Sequence, residues 1–337
     1  MILTRGARVT GAVLCAVLAV IVAGWIVRDV GAVDGPARLW RHWAGYHDAR
    51  LEAPPATSAY DMVLFLVYLA AAVAALRSSV AATALVAAGA ATIAVRLPGL
   101  WTIGGNGTTV RFTDDLRTRA LLSAFVALAA GIALIITAGA GRRAPYDPSE
   151  RLPARPGQGA GVIAFLALGA AGAVAVAWEI RQAVRFADAR FDVYPDWYVG
   201  GDRVLHGLID PPPGWFTAVL ALFCLFAAVS ALARAAHARP FGLIAAALLL
   251  FGGVMGVARS VHHELLERFG GLPVEEQLIV LTSFFEVAVG AGALLAMSLP
   301  GPVGVPAPPH PGYAPGYGPP GPDVFGPPPP SRPPPGW

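Results

Sequence analysis

Along this chain, apolar residues come in unbroken runs of spanning length, with polar residues confined to the gaps. A helix needs about 20 mostly apolar residues to cross a bilayer. The runs at about 10–27, 59–76, 79–97, 119–139, 160–178, 215–235, 241–258 and 278–299 meet that requirement, the third and seventh being the shortest. They alternate neither at the period of a strand nor at that of a one-sided helix, so they predict helices apolar on every face. The expected fold is an all-α integral membrane protein with about eight transmembrane helices.

The runs form two similar series. "AGWIVRDV" at the end of the first run parallels "VAWEIRQA" at the end of the fifth, setting Trp25 and Arg28 on Trp178 and Arg181. "WAGYHDARL" parallels "WYVGGDRVL" through Trp43/Trp197 and Asp48/Asp202. Arg96 and Arg259 each close the third run of their series, and "SAFVALAAGIALI" parallels "SFFEVAVGAGALL" through Ser123/Ser283 and Phe125/Phe285. The common order predicts a duplicated four-helix unit, residues 1–141 and 159–300, joined by a linker at 142–158. Four crossings are even in number, so the two units are expected to be parallel repeats. The match of the first run to an internal one predicts that it is a retained helix and not a cleaved leader.

Composition agrees with the membrane class: 56% of residues are hydrophobic and 13% charged, with a mean hydropathy of +0.60. Soluble domains carry roughly 25% charge. All 24 basic residues are arginine. With the N-terminus inside, the inner segments hold ten arginines against three acids, and "AGRRAPYDPSERLPARPGQG" is the most basic connection. The expectation is a multi-pass plasma-membrane protein with both termini cytoplasmic. Cys15 and Cys224 each lie inside an apolar run, which excludes a disulfide framework and a redox or metal spacing between them.

The long gaps, about 28–58 and 179–214, fall outside. "GPARLWRHWAGYHDARLE" puts Leu39, Trp40, Trp43, Tyr46 and His47 near one helical face, as in a helix lying at headgroup depth. "GDRVLHGLID" would form a shorter one capped by Asp202.

Five residues are candidates for ligand binding. Arg28, Arg96, Arg181 and Arg259 recur at outer helix ends, where they would either snorkel to lipid or line a cationic outer pocket. The fifth, Glu286, sits inside the last apolar run, and its repeat equivalent is Val126. A charge at such depth costs ~2.5 kcal/mol or more, so Glu286 is expected to face the bundle along with Ser283, Gly290 and Ala293. Three roles stay open: a carboxyl hydrogen-bonded to Tyr68 or Ser283, an ion pair with Arg96 or Arg259, or a proton or cation site on a transport path.

No catalytic, metal or cofactor site is expected. "HHELLE" matches a zinc-protease helix only in part, because Glu267 stands where the second histidine belongs. His42, His47, His206, His262 and His263 have no fixing spacing, and the chain lacks P-loop, G-x-S-x-G and dinucleotide motifs. From 301 to 337 the chain is nearly all Pro, Gly and aromatics, which predicts a disordered cytoplasmic tail that can dock on an aromatic-lined groove.

Three functions remain open from the sequence. The leading one is a binding or scaffolding protein with an outer Arg/aromatic face and a partner-docking tail. The others are a proton- or cation-coupled transporter using Glu286, and a membrane enzyme acting on a lipid-linked substrate through Asp114, Asp115, His263 or Glu264. Membrane lipids are the first expected partners and a cytoplasmic protein on the tail the second. Self-association stays open, and nothing points to nucleic acid.

Overall fold

The structure is a computed structural model that describes residues 2–46, 54–109, 111–144, 155–189, 194–201 and 207–299. The tail at 301–337 and most of the linker lie outside the described residues, as do His47, Asp48, Asp202 and His206.

Twelve α-helices follow in order among the described residues: α1 (Arg5–Ala32), α2 (Pro36–Trp43), α3 (Ala59–Arg77), α4 (Ala81–Arg96), α5 (Gly99–Thr102), α6 (Asn106–Thr109), α7 (Asp114–Ala140), α8 (Gln158–Ala189), α9 (Tyr194–Val199), α10 (Pro213–Leu232), α11 (Ala238–His262) and α12 (Val274–Ser298). Eight of them, α1, α3, α4, α7, α8, α10, α11 and α12, are long and apolar enough to cross a membrane. Large apolar side chains such as Val20, Leu222 and Leu295 point outward and are exposed along them. An exterior as apolar as the interior suits lipid and not water, and the chain is an all-α, multi-pass membrane protein.

The helices outrun the apolar segments because their ends are capped by polar groups. Thr4 caps α1 by accepting from the Ala7 N–H, and Thr113 caps α7 by accepting from the Leu116 N–H. Pro213 opens α10, where its missing N–H costs nothing. At the opposite ends, arginines meet orphan carbonyls. Arg8 donates to Ala75 O and Ser78 O at the end of α3, and Arg239 to Met297 O and Ser298 O at the end of α12. A two-residue antiparallel pair, β1 (Ile2–Leu3) with β2 (Arg142–Arg143), ties the start of α1 to the end of α7.

Packing is pairwise: α1 on α3, α4 on α7, α8 on α10 and α11 on α12, with α1–α7 and α8–α12 closing each group. Glycine makes the tightest contacts possible. A Cβ on Gly89 of α4 would lie 2.6 Å from Gly131 O of α7. On α11, a Cβ on Gly253 would lie 2.7 Å from Val287 N of α12, and one on Gly290 of α12 would lie 2.6 Å from Leu250 N. In lipid, such close backbone approach provides the attraction that the hydrophobic effect provides in water. The two groups meet where α11 packs on α3 and α4. α10 joins them there: the Phe216 and Tyr60 ring centres lie 4.0 Å apart, and the Trp215 indole donates to Ala94 O at 2.7 Å.

The short helices and longer connections gather at one end, here called the loop end. α2 stops at Trp43 because Gly45 turns the chain with φ +79°. Leu39 of α2 is buried and Trp40 partly exposed, while Trp43 donates to Thr57 O at 3.0 Å. The segment "GLID" is not helical in its described part, 207–210.

Candidate functional site

Asp29 lies in the last turn of α1, where the helix dipole disfavours an anion. Its environment compensates. The side chain is fully buried, and one oxygen accepts three hydrogen bonds: from Ala56 N at 2.9 Å, Thr57 N at 2.7 Å and Thr57 Oγ1 at 2.6 Å. The other oxygen faces Arg28 at 2.6 Å, and Arg28 also reaches Pro54 O at 3.4 Å. One carboxylate thereby holds the chain that leads into α3.

Four residues later the motif extends. Asp61 sits in the first turn of α3 and accepts from Ser58 N at 2.8 Å, closing a capping box. Its other oxygen forms a buried ion pair with Arg96 at the end of α4. Arg96 then donates to Ile209 O at 3.1 Å, and Ile209 N returns a bond to Ala56 O at 3.1 Å. Backbone from 54–58 and from 207–210 is thus joined through Asp29, Asp61 and Arg96.

Asp210 completes the cluster and forms no ion pair among the described residues. Oδ1 is sealed from solvent and has no hydrogen-bond partner among the described residues. Burial, reinforced by the nearby Asp61 charge, pushes its carboxyl up to about 7, against the opposing pull of Ser58 and Arg96. Beneath the cluster a cavity of about 20 Å³ is lined by Trp25, Tyr68, Arg96, Ser123 and Ile209, room for about one water.

Of the sequence candidates, Arg28 and Arg96 belong to this cluster. Arg181 does not. It pairs with Glu275 of α12 at 3.0 Å, lies 5.9 Å from the centre of the Trp178 ring, and shares Glu275 with Arg185. Arg259 is exposed at the last turn of α11 and makes no ion pair or hydrogen bond among the described residues. Three of the four arginines are therefore already matched by carboxylates.

Glu286 lies half way along α12 and forms no hydrogen bond or ion pair among the described residues. A Cβ on Gly252 of α11 would be 3.8 Å from its Oε2 and 3.4 Å from the Tyr60 hydroxyl. The carboxyl therefore faces the seam where α3, α11 and α12 meet. Two of its expected partners are engaged elsewhere: Tyr68 shares a 2.9 Å hydrogen bond with Thr92, and Arg96 holds Asp61. Ser283 donates to its own helix at Ile279 O and packs on Gly256. Arg259 remains, on the same helix as the Gly252 that Glu286 packs against and about two turns beyond it.

The residues considered for catalysis have structural places. Asp114 and Asp115 occupy the first turn of α7, as its dipole favours, and pair with Arg117 at 3.1 Å and Arg119 at 2.9 Å. His263 and Glu267 do not share a helix face, because α11 ends at His262 and the chain turns through Glu264 at φ +55°. His262 stacks on Tyr46 at 3.8 Å. Among the described residues no group of three His, Cys, Asp or Glu side chains is placed to hold a metal.

Asp29, Thr57, Asp61 and Asp210 were not singled out from the sequence. A signal was present in two of them: an acid at the dipole-unfavourable end of α1, and Ser58 three residues before Asp61. Compared with protein families, characterised proteins and solved structures, the chain matches none.

Proposed function

We propose that this protein is a membrane-embedded binding protein whose outer face is a preformed platform. The observation that carries the reading is the buried Asp29–Asp61–Arg96 cluster, which joins two distant loop segments at one end of the bundle. Preorganised loops lose little entropy on binding. The loop end faces outward in this reading. Its support is the arginine bias of the opposite end, where Arg8 and Arg239 lie, together with the aromatic residues Trp40, Trp43 and Tyr46 at the loop end. Both termini are then cytoplasmic, in the plasma membrane.

The bundle is read as two parallel repeats. Support comes from the same order of helix pairing in each half and from a doubled bridge. Trp25 of α1 donates to Ser123 of α7 at 3.1 Å, and Trp178 of α8 donates at 3.1 Å to Thr282 of α12, the neighbour of the Ser283 that aligns with Ser123. The tail at 301–337 is read as disordered and as the docking segment for a cytoplasmic protein, on its composition.

Native mass spectrometry of the chain extracted in its own lipids tests the reading. A lipid or solute that survives desolvation supports it, and a bare chain overturns it. A second reading rests on Glu286, an intramembrane carboxyl without a partner among the described residues, which suits a proton- or cation-coupled transporter. On that reading Glu286→Gln abolishes flux in vesicles while the chain stays folded. Unchanged flux would exclude it.

A further inference from the structure

Arg259 stands apart from the other three candidate arginines. Arg28, Arg96 and Arg181 each touch a carboxylate, whereas Arg259 has none in contact among the described residues. Its stem packs against the turn after α2. A Cβ on Gly45 would lie 3.3 Å from Arg259 Cδ and 3.9 Å from Nη1, so the end of α2 presses against it. Next to it Tyr46 donates to Ala258 O at 3.1 Å and stacks on His262. A guanidinium thereby lies beside the Tyr46–His262 pair at the loop end, which is headgroup depth if the loop end is outer.

Glu286 lies below it. Gly252, Gly256 and Arg259 fall on one face of α11, two turns or about 10 Å from first to last. Glu286 lies against Gly252, and Ser283 fills the space over Gly256. Side chains lean toward the N-terminus of their helix. α11 begins at the far end and α12 at the loop end, so the Glu286 side chain leans toward the loop end, where the Arg259 guanidinium lies near Gly45. The charged and titratable groups facing Glu286 from the packed elements are Arg259 of α11, Tyr60 of α3 and Cys224 of α10.

We propose that Arg259 seats the phosphate of an anionic phospholipid of the outer leaflet, and that Glu286 is the internal counter-ion the phosphate displaces. The proposal rests on the binding-protein reading and names its ligand class. Occupied, the guanidinium turns up to the phosphate, with Tyr46 and His262 alongside. Without the phosphate, the flexible Arg259 side chain can swing from Gly45 toward Glu286. The two anions compete for one cation.

The test is native mass spectrometry of the full chain titrated with phosphatidylglycerol, for wild type, Arg259→Gln, Glu286→Gln and Arg181→Gln. Arg259→Gln is expected to lower retention about tenfold, the effect of losing a hydrogen-bonded charge. Glu286→Gln is expected to raise it severalfold, and Arg181→Gln to leave it unchanged. Equal retention by wild type and Arg259→Gln overturns the site; lipid still held by both leaves the binding-protein reading standing. Loss in Arg259→Gln with no gain in Glu286→Gln overturns the part given to Glu286. Displacement of the lipid by millimolar inorganic phosphate would assign the site to a soluble anion and overturn the lipid assignment. If Arg259→Gln fails to fold, Arg259→Lys, which keeps the charge without the fork, must fall between wild type and full loss.

Discussion

Arg96 of α4 and Asp61 of α3 form an ion pair with only 8% and 2% of their side chains exposed. Removing one partner strands the other charge, at a cost of ~3–5 kcal/mol. Replacing both with apolar residues of similar volume is often neutral. Arg96→Met and Asp61→Leu are each expected to lower the thermal midpoint in detergent sharply. The double variant should recover most of the loss. Additive losses would show that the pair does not act as a unit.

Asp29 does for the 54–58 segment what the ion pair does for the helix ends. Asp29→Ala strands Ala56 N, Thr57 N and the Thr57 hydroxyl, at ~1–3 kcal/mol for each unsatisfied group. The expected result is fast hydrogen exchange at Ala56 and Thr57 with the spanning helices still protected. Unchanged exchange at those amides would contradict the clamp.

Asp210 makes stability depend on pH. Its folded carboxyl titrates at about 7, above the ordinary value of 3.8. Between these values the folded chain holds a proton that the unfolded chain has released, so stability falls as pH rises across that window and levels off above it. Asp210→Asn should remove this slope and be the more stable form at neutral pH. Denaturant melts at several pH values read it directly, and an identical slope in the variant would remove Asp210 as the cause.

Gly253 and Gly292 make a matched pair for the α11–α12 contact. A Cβ at Gly253 meets Ser283 O at 2.8 Å, whereas one at Gly292 meets nothing within 4 Å. Gly253→Val is expected to separate the helices and destabilise the chain. Gly292→Ala should be neutral or add about 0.5–1 kcal/mol from helix propensity. Unfolding midpoints of the two variants decide.

The spans were legible because hydropathy at bilayer length is a local signal, and all eight runs lie on helices of the bundle. Their true ends were not, since caps such as Thr4 and Thr113 are polar and fall outside an apolar window. The cluster was hidden for a different reason. Arg96 is 35 residues from Asp61 and 113 from Ile209, so no spacing rule connects them. Glu286 was legible as an oddity, an acid in an apolar run, but its neighbours were not. Tyr60 and Gly252 come to it only through the meeting of α3, α11 and α12.

On the proposed reading, the loops that Asp29 holds in advance form the binding platform. Native mass spectrometry of wild type beside Asp29→Ala, each extracted in its own lipids, tests that most directly. The expected result is a ligand retained by wild type and lost by a still-folded Asp29→Ala. A bare wild-type chain, or equal retention by both, would contradict it.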